Sequence, residues 1–140
     1  MSPLTIILLG LIVGLIPTLI RFYTCPACVV VRYGSISCLV HGVRSGWNIN
    51  GNISGETPLM SAIRRQRLDM VMFLLHSGAG VLTKNGEPNG AIEVLAQLQP
   101  MDDSPKALEM LRWFQRSVLI DMIELGVPEN HSLVQALVPP

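Results

Sequence analysis

Residues 55–79 read GETPLMSAIRRQRLDMVMFLLHSGA, and this stretch decides the fold. Thr57 is a good N-cap and Pro58 suits the first helical turn, where its missing N–H is no loss, so a helix is expected to begin here. Gly78 is expected to end a second helix, because glycine adopts the left-handed conformation easily. The apolar positions of the two helices are Leu59, Ala62 and Ile63, and then Leu68, Val71, Met72, Leu74 and Leu75. The stretch therefore predicts a helix-turn-helix unit.

This unit resembles an ankyrin repeat, whose pattern is G-x-T-P-L-H-x-A, a turn, a V-x-x-L-L helix and then G-A. The matching positions are Gly55, Thr57, Pro58, Leu59, Ala62, Val71, Leu74, Leu75, Gly78 and Ala79. Met60 replaces the usual His, and Gln66 replaces the usual turn Gly. The resemblance covers residues 24–128, most clearly in the middle, and implies stacked helix pairs that bury their apolar faces against one another.

A weaker copy of the unit precedes it. Moving the template back by 32 residues places Cys25-Pro26-Ala27-Cys28 on the cap slot and Gly34 on the turn. Gly42 then falls within the second helix, where it is expected to cost about 1 kcal/mol relative to Ala. Residues 24–51 therefore predict a degenerate first repeat, and residues 52–84 the main one.

A third, expanded unit is predicted at residues 85–128. Its inner helix is expected at 91–98, and a loop at 99–104 leads to a long amphipathic helix that stops at Gly126. Residues 129–140 are expected to form a terminal capping helix.

The amino-terminal segment is apolar. No side chain from 2 to 20 is ionisable, and about 20 such residues span a bilayer core of roughly 30 Å as a helix. Gly10 and Gly14 form a G-x-x-x-G pair, which supports a weak homodimer of membrane helices but also arises by chance. Residues 1–23 are therefore predicted to be a transmembrane anchor and residues 24–140 the repeat domain. The expected fold is an all-α ankyrin-repeat solenoid of about three units with an N-terminal transmembrane helix.

The side of the membrane follows from charge. Arg21 and Arg32 lie on the carboxyl side of the apolar segment, and positive charge near a span predicts the cytoplasmic side. The repeat domain is therefore expected in the cytoplasm. The alternative is a cleaved signal segment, which would call for a basic start and a small-residue cleavage site.

The composition excludes one class of partner. The chain has 140 residues, of which 49% are hydrophobic and 14% charged, and its mean hydropathy is +0.45. Its net charge is zero, and the two scattered lysines, Lys84 and Lys106, provide no continuous basic surface for nucleic acid. The three cysteines cannot all pair, so a disulfide framework is not the organising principle.

Four side chains have the spacing of metal ligands. Cys25, Cys28, Cys38 and His41 read C-x2-C-x9-C-x2-H, which resembles a zinc knuckle. The competing interpretation places Cys25 and Cys28 at the turn and helix positions of the first repeat. It places Cys38 and His41 on the outer helix, with Cys38 on the buried face as a small hydrophobic residue. The second interpretation is favoured, so no metal and no cofactor is expected.

The sequence shows no catalytic set. It lacks a serine nucleophile elbow, a phosphate-binding glycine loop and H-E-x-x-H. Asp102 and Asp103 are interpreted as a solvated lead-in to the long helix rather than as a general acid and base. The chain is therefore predicted not to be an enzyme.

The resemblance implies a membrane-anchored scaffold for protein–protein interaction. The predicted partner contacts are Asn50, Asn52, Ser54, Lys84 and Asn85 at hairpin tips, and Met60, Ser61, Arg64 and Arg65 along the inner-helix groove. Arginines suit an acidic partner because a guanidinium matches a carboxylate; a solvated turn is the simpler interpretation. Trp113 and Phe114 are adjacent on the long helix, so one is expected in the core and the other exposed as a candidate interface anchor.

A second function stays open. An exported periplasmic or secreted ankyrin-type protein, acting as a binder or inhibitor, would have the same repeats behind a cleaved segment.

Overall fold

The structure is a computed structural model that describes residues 2–82 and 89–137, with side chains from 2 to 16 and from 25 onward in those ranges. These residues form eight helices. They are α1 (Pro3–Thr24), α2 (Pro26–Tyr33), α3 (Ile36–Arg44), α4 (Pro58–Arg64), α5 (Leu68–His76), α6 (Ala91–Ala96), α7 (Pro105–Glu124) and α8 (Ser132–Leu137).

After α1, the helices pack in two layers. In the inner layer α4 packs between α2 and α6, and in the outer layer α5 packs between α3 and α7. Each inner helix also packs on the outer helix that follows it, and α8 closes the stack against α6 and α7. The described part of the chain is therefore an all-α stack of helix pairs, as predicted.

The ends of the middle pair are set by its cap residues. The Thr57 hydroxyl oxygen accepts a hydrogen bond from the Met60 backbone N–H at 3.3 Å, and Pro58 occupies the first turn of α4. The turn after α4 passes through Gln66, whose φ of +54° lies in the left-handed region that the family pattern fills with glycine. Gly78, with φ of +94°, ends α5. Thr57 and Gly78 therefore bound the pair as predicted.

The first helix of the first pair has a weak cap, whereas the second has a good one. The Cys28 backbone nitrogen lies 3.4 Å from the Cys25 sulfur, and sulfur is a weak acceptor. Ser35 caps α3 by accepting from the Cys38 N–H at 3.3 Å. These contacts let a degenerate sequence still form two helices.

The third pair is uneven in length. α6 is short, whereas α7 begins after Ser104, whose hydroxyl oxygen accepts a backbone N–H bond at 3.2 Å, and ends before Gly126. Phe114 on α7 is buried, whereas Trp113 is 60% exposed. The prediction that one of the two aromatic rings is in the core and the other exposed is confirmed.

The hydrophobic core runs through both layers. Its largest fully buried side chains are Val31, Leu39, Leu59, Ile63, Met70, Val71, Leu74, Leu75, Ile92, Leu95, Val118 and Met122. They come from every helix between α2 and α7. No single pair encloses its own apolar face, so the pairs stabilise one another.

Gly42 has a packing role that the sequence did not reveal. A Cβ at this position in α3 would lie 2.1 Å from Cε3 of Trp47, and the Trp47 backbone N–H donates to the Gly42 carbonyl oxygen at 3.0 Å. The glycine lowers helix propensity but allows the indole ring to lie against the helix.

The α1 side chains that the structure describes, up to residue 16, are mostly apolar and all exposed. The exposed fractions include 72% at Leu4, 60% at Leu11 and 63% at Val13. Among the residues that the structure describes, we find no helix with both the length and the apolar character needed to cross a membrane. This finding does not support the predicted transmembrane helix.

Leu74→Ala tests the shared core. Leu74 is fully buried on α5, so truncation should lower the free energy of unfolding by about 2 to 5 kcal/mol through lost burial and a residual cavity. Chemical unfolding of the variant and parent measures the change. His76→Ala is the control on the exposed face of the same helix. It removes only a contact between the largely exposed imidazole and Asp121 at 3.5 Å, so it should change stability by less than about 0.5 kcal/mol. Equal stability of Leu74→Ala and the parent would contradict the core assignment.

Candidate protein-interaction surface

Two helix ends meet at one edge of the inner layer. α2 ends with Arg32 and Tyr33, and α4 ends with Arg64 and is capped by Arg65. Because α2 and α4 pack side by side, these side chains come close together. We call Tyr33, Arg64 and Arg65 the arginine–tyrosine surface.

Glu56 joins the first two helix pairs through both of its carboxylate oxygens. Oε2 accepts from the Arg32 guanidinium at 2.9 Å, and Oε1 accepts from Nε of Arg64 at 3.2 Å. Arg32 and Glu56 are mostly buried, whereas the Arg64 side chain is 60% exposed. One carboxylate therefore faces two positive charges, and the more exposed of the two belongs to Arg64.

Arg65 lies on an exposed aromatic ring. Its guanidinium carbon is 6.0 Å from the centre of the Tyr33 ring, within the range of a cation–π contact. The Tyr33 side chain is 79% exposed. Among the described residues, no carboxylate forms an ion pair with Arg65.

The surroundings of this surface are positively charged. Arg67, in the turn after α4, pairs with Asp69 at 3.4 Å and also donates to the Gly34 carbonyl oxygen at 3.5 Å. Arg32, Arg64, Arg65 and Arg67 are four positive charges and Glu56 and Asp69 two negative ones, an excess of two. The carbonyl ends of α2 and α4 each add about half a negative charge. The surface therefore retains about one positive charge.

The predicted hairpin-tip residues have different surroundings. Asn50 is exposed, but its side-chain oxygen accepts from the Gly80 N–H at 2.8 Å and so joins two successive loops. Asn52 and Ser54 are exposed on the hairpin between α3 and α4, where the backbones of Ile53 and Glu56 exchange two hydrogen bonds at 3.1 and 3.0 Å. Ser54 has a φ of +54°. Lys84 and Asn85 lie outside the described residues.

The predicted groove residues are also unequal. Met60 is half-buried, and a Cβ at Gly90 would lie 2.8 Å from its methyl carbon. Ser61 is 1% exposed, and its hydroxyl has no hydrogen-bond partner among the described residues. A partner therefore cannot reach Ser61 in this conformation, because the neighbouring helices cover it. Arg64 and Arg65 are exposed.

The four candidate metal ligands separate into two groups. Cys25 and Cys28 are buried and form a disulfide, whereas Cys38 is a free, exposed cysteine on α3 and His41 is exposed on the same helix. The prediction that Cys38 faces the core is wrong, because Leu39 and Gly42 form the buried face of α3. Within the described ranges, no group of three or more His, Cys, Asp or Glu side chains is arranged to hold a metal ion.

The Asp102–Asp103 pair precedes α7. Hydrogen bonds from the Ser104 hydroxyl and from its backbone N–H, the latter at 2.8 Å, hold the pKa of Asp102 below its usual value of 3.8. Asp102 is therefore a carboxylate at neutral pH that organises the start of α7. This geometry fits the interpretation of the pair as a lead-in to the helix.

The sequence reasoning found Arg64 and Arg65 but missed their neighbours. The repeat spacing of 32 residues carried the signal, since it aligns Arg32 with Arg64 and Tyr33 with Arg65. Residues in equivalent positions of adjacent repeats lie side by side when the repeats stack. Applying that rule to the helix ends, and not only to the apolar positions, would have identified Tyr33.

Comparison with known proteins supports the repeat assignment. A family model of the ankyrin repeat matches residues 54–86, which contain α4 and α5. Searches of curated proteins and of solved structures found no match. The matched segment carries the cap, turn and helix-stop residues described above, and the helix pairs on either side pack against it. Residues 54–86 therefore form an ankyrin repeat, and the packing of the neighbouring helix pairs is consistent with a stack of such repeats.

Proposed function

We propose that this chain is a protein-interaction scaffold that acts by binding another protein and not by catalysis. The observation that carries the proposal is the ankyrin-repeat match at residues 54–86, because ankyrin repeats mediate binding to other proteins. The exposed side chains on the inner layer and at the hairpin supply the contact surface. They are Asn52 and Ser54 at the hairpin, and Arg64 and Arg65 at the end of α4.

Site-specific crosslinking tests this function. A photoreactive side chain placed at Asn52 or Arg64 should crosslink the full chain to another protein in native extracts, because both positions are exposed on the proposed surface. His76 is 73% exposed on the outer layer and is the matched control position. Crosslinks of equal yield from all three positions would contradict a defined binding surface.

We further propose that α1 holds the repeats at a membrane. The support is the exposure of its apolar side chains, among them Leu8, Leu9 and Ile12. A helix that is apolar all round is stable when it is covered, either by protein or by lipid. Among the described residues, α2 is the one repeat helix with which α1 makes more than a marginal contact. Lipid is the cover that we propose.

Alkaline carbonate extraction tests the anchoring. The full chain should stay in the membrane pellet, and a Leu8→Asp, Ile12→Asp variant should move largely to the supernatant, because charged side chains are costly in lipid. Met101→Asp, at a loop residue that is 94% exposed, is the control and should stay in the pellet. Release of the unmodified chain by carbonate would end the anchoring proposal.

The side of the membrane separates the two candidate functions. Arg21 and Arg32 support a cytoplasmic repeat domain. The Cys25–Cys28 disulfide favours the second candidate, an exported binding or inhibitor protein, because disulfides persist mainly in oxidising compartments. We propose the cytoplasmic orientation, in which the buried pair is protected by its surroundings.

Labelling of Cys38 distinguishes these candidates. Cys38 is free and exposed, whereas Cys25 and Cys28 are buried and paired. A membrane-impermeant maleimide should therefore leave the chain unlabelled in intact cells and label it once the cells are lysed. Cys38→Ser is the control and should abolish the label after lysis. Labelling of intact cells, or a mature mass that lacks about the first 24 residues, would favour the exported protein.

A further inference from the structure

The arginine–tyrosine surface holds positive charge that the described residues do not neutralise. Arg65 has the Tyr33 ring beneath it and no carboxylate partner in the described ranges. Arg64 donates a hydrogen bond from Nε to Glu56, and Glu56 also pairs with Arg32. The excess charge is therefore concentrated on two adjacent, exposed guanidinium groups.

Guanidinium groups held in this way suit carboxylates. The Tyr33 ring lies at the outer limit of a cation–π contact with Arg65, and the N–H groups of the guanidinium can donate two parallel hydrogen bonds to a carboxylate. The exposed ring of Tyr33 adds an apolar face next to the charge. Such a combination suits a peptide segment that carries acidic side chains.

Tyr33 and Arg65 lie at the carboxyl ends of α2 and α4, away from the junction between α1 and α2, whereas the Arg64 side chain reaches back to Glu56 before the start of α4. Cys25 alone separates α1 from α2, and the Cys28 sulfur lies 3.8 Å from the Gly51 carbonyl oxygen, so the junction is beside the hairpin. Tyr33 is the last residue of the eight-residue α2, about 12 Å further along the helix axis. A partner that approaches from the side opposite this junction therefore meets Tyr33 and Arg65 first.

We propose that Tyr33, Arg64 and Arg65 bind an acidic peptide segment of the partner protein. This inference rests on the proposed interaction function and specifies the partner chemistry. An excess of about one charge is too small for nucleic acid, whose binding depends on several phosphate contacts. The position away from α1 disfavours anionic lipid of the membrane in which α1 is proposed to lie. Asn50 and Asn52 carry no charge and are not part of this site.

Binding of a defined peptide to the full chain in detergent micelles tests the proposal. The probe is a fluorescein-labelled peptide of alternating glutamate and glycine, followed by fluorescence anisotropy at low and high salt. Arg65→Gln should weaken binding about fivefold, and Tyr33→Leu should weaken it less, because the positive charge remains. Arg65→Lys should recover part of the affinity. Arg44→Gln is the matched control, since Arg44 is exposed at the end of α3 and takes part in no ion pair with the described residues.

Each outcome decides for or against the site. A selective loss in Arg65→Gln, with Arg44→Gln unchanged and both variants melting like the parent, supports it. Equal losses in the two variants, absence of binding by the parent, or tighter binding of single-stranded DNA or phosphatidylserine vesicles would overturn it. Crosslinks from Asn52 and Arg64 without peptide binding would overturn this inference and leave the interaction function standing. Peptide binding without crosslinks would overturn the interaction function instead.

Discussion

The packing of α4 between α2 and α6 is the contact on which the rest of the structure depends. Leu59, Ala62 and Ile63 on α4 are at most 1% exposed, and they reach this burial only because a helix lies on each side. A single helix pair has two apolar faces and can cover neither alone. The weak cap of α2 and the short length of α6 are tolerated because each of these helices packs against α4.

The same contact creates the candidate surface. Stacking α2 against α4 places equivalent residues of successive repeats next to one another, so Arg32 meets Arg64 through Glu56, and Tyr33 meets Arg65. The same repeat spacing therefore aligns both the hydrophobic positions within α2 and α4 and the polar positions at the ends of these helices. An interaction surface of this kind is composite, since neither repeat contains it alone.

The fold could be predicted from the sequence where a residue acts on its immediate neighbours in the chain. Thr57, Pro58 and Gly78 set helix ends by local hydrogen bonding and dihedral preference, and such effects are readable in the sequence. Side-chain placement that depends on a distant neighbour was harder to predict. The ring of Trp47 explains Gly42, and the rotation of α3 in the stack leaves Cys38 exposed. The alignment of Tyr33 with Arg65 required the three-dimensional stacking of repeats, although the repeat spacing already contained it.

The single residue between α1 and α2 has a mechanical consequence. A flexible linker would let the repeats rotate and sample a wide volume around their point of attachment. Here Cys25 is both the joint and the cap of α2, and its disulfide to Cys28 closes that joint onto the first turn of the helix. The short joint therefore limits how far the repeat stack can move away from the carboxyl end of α1.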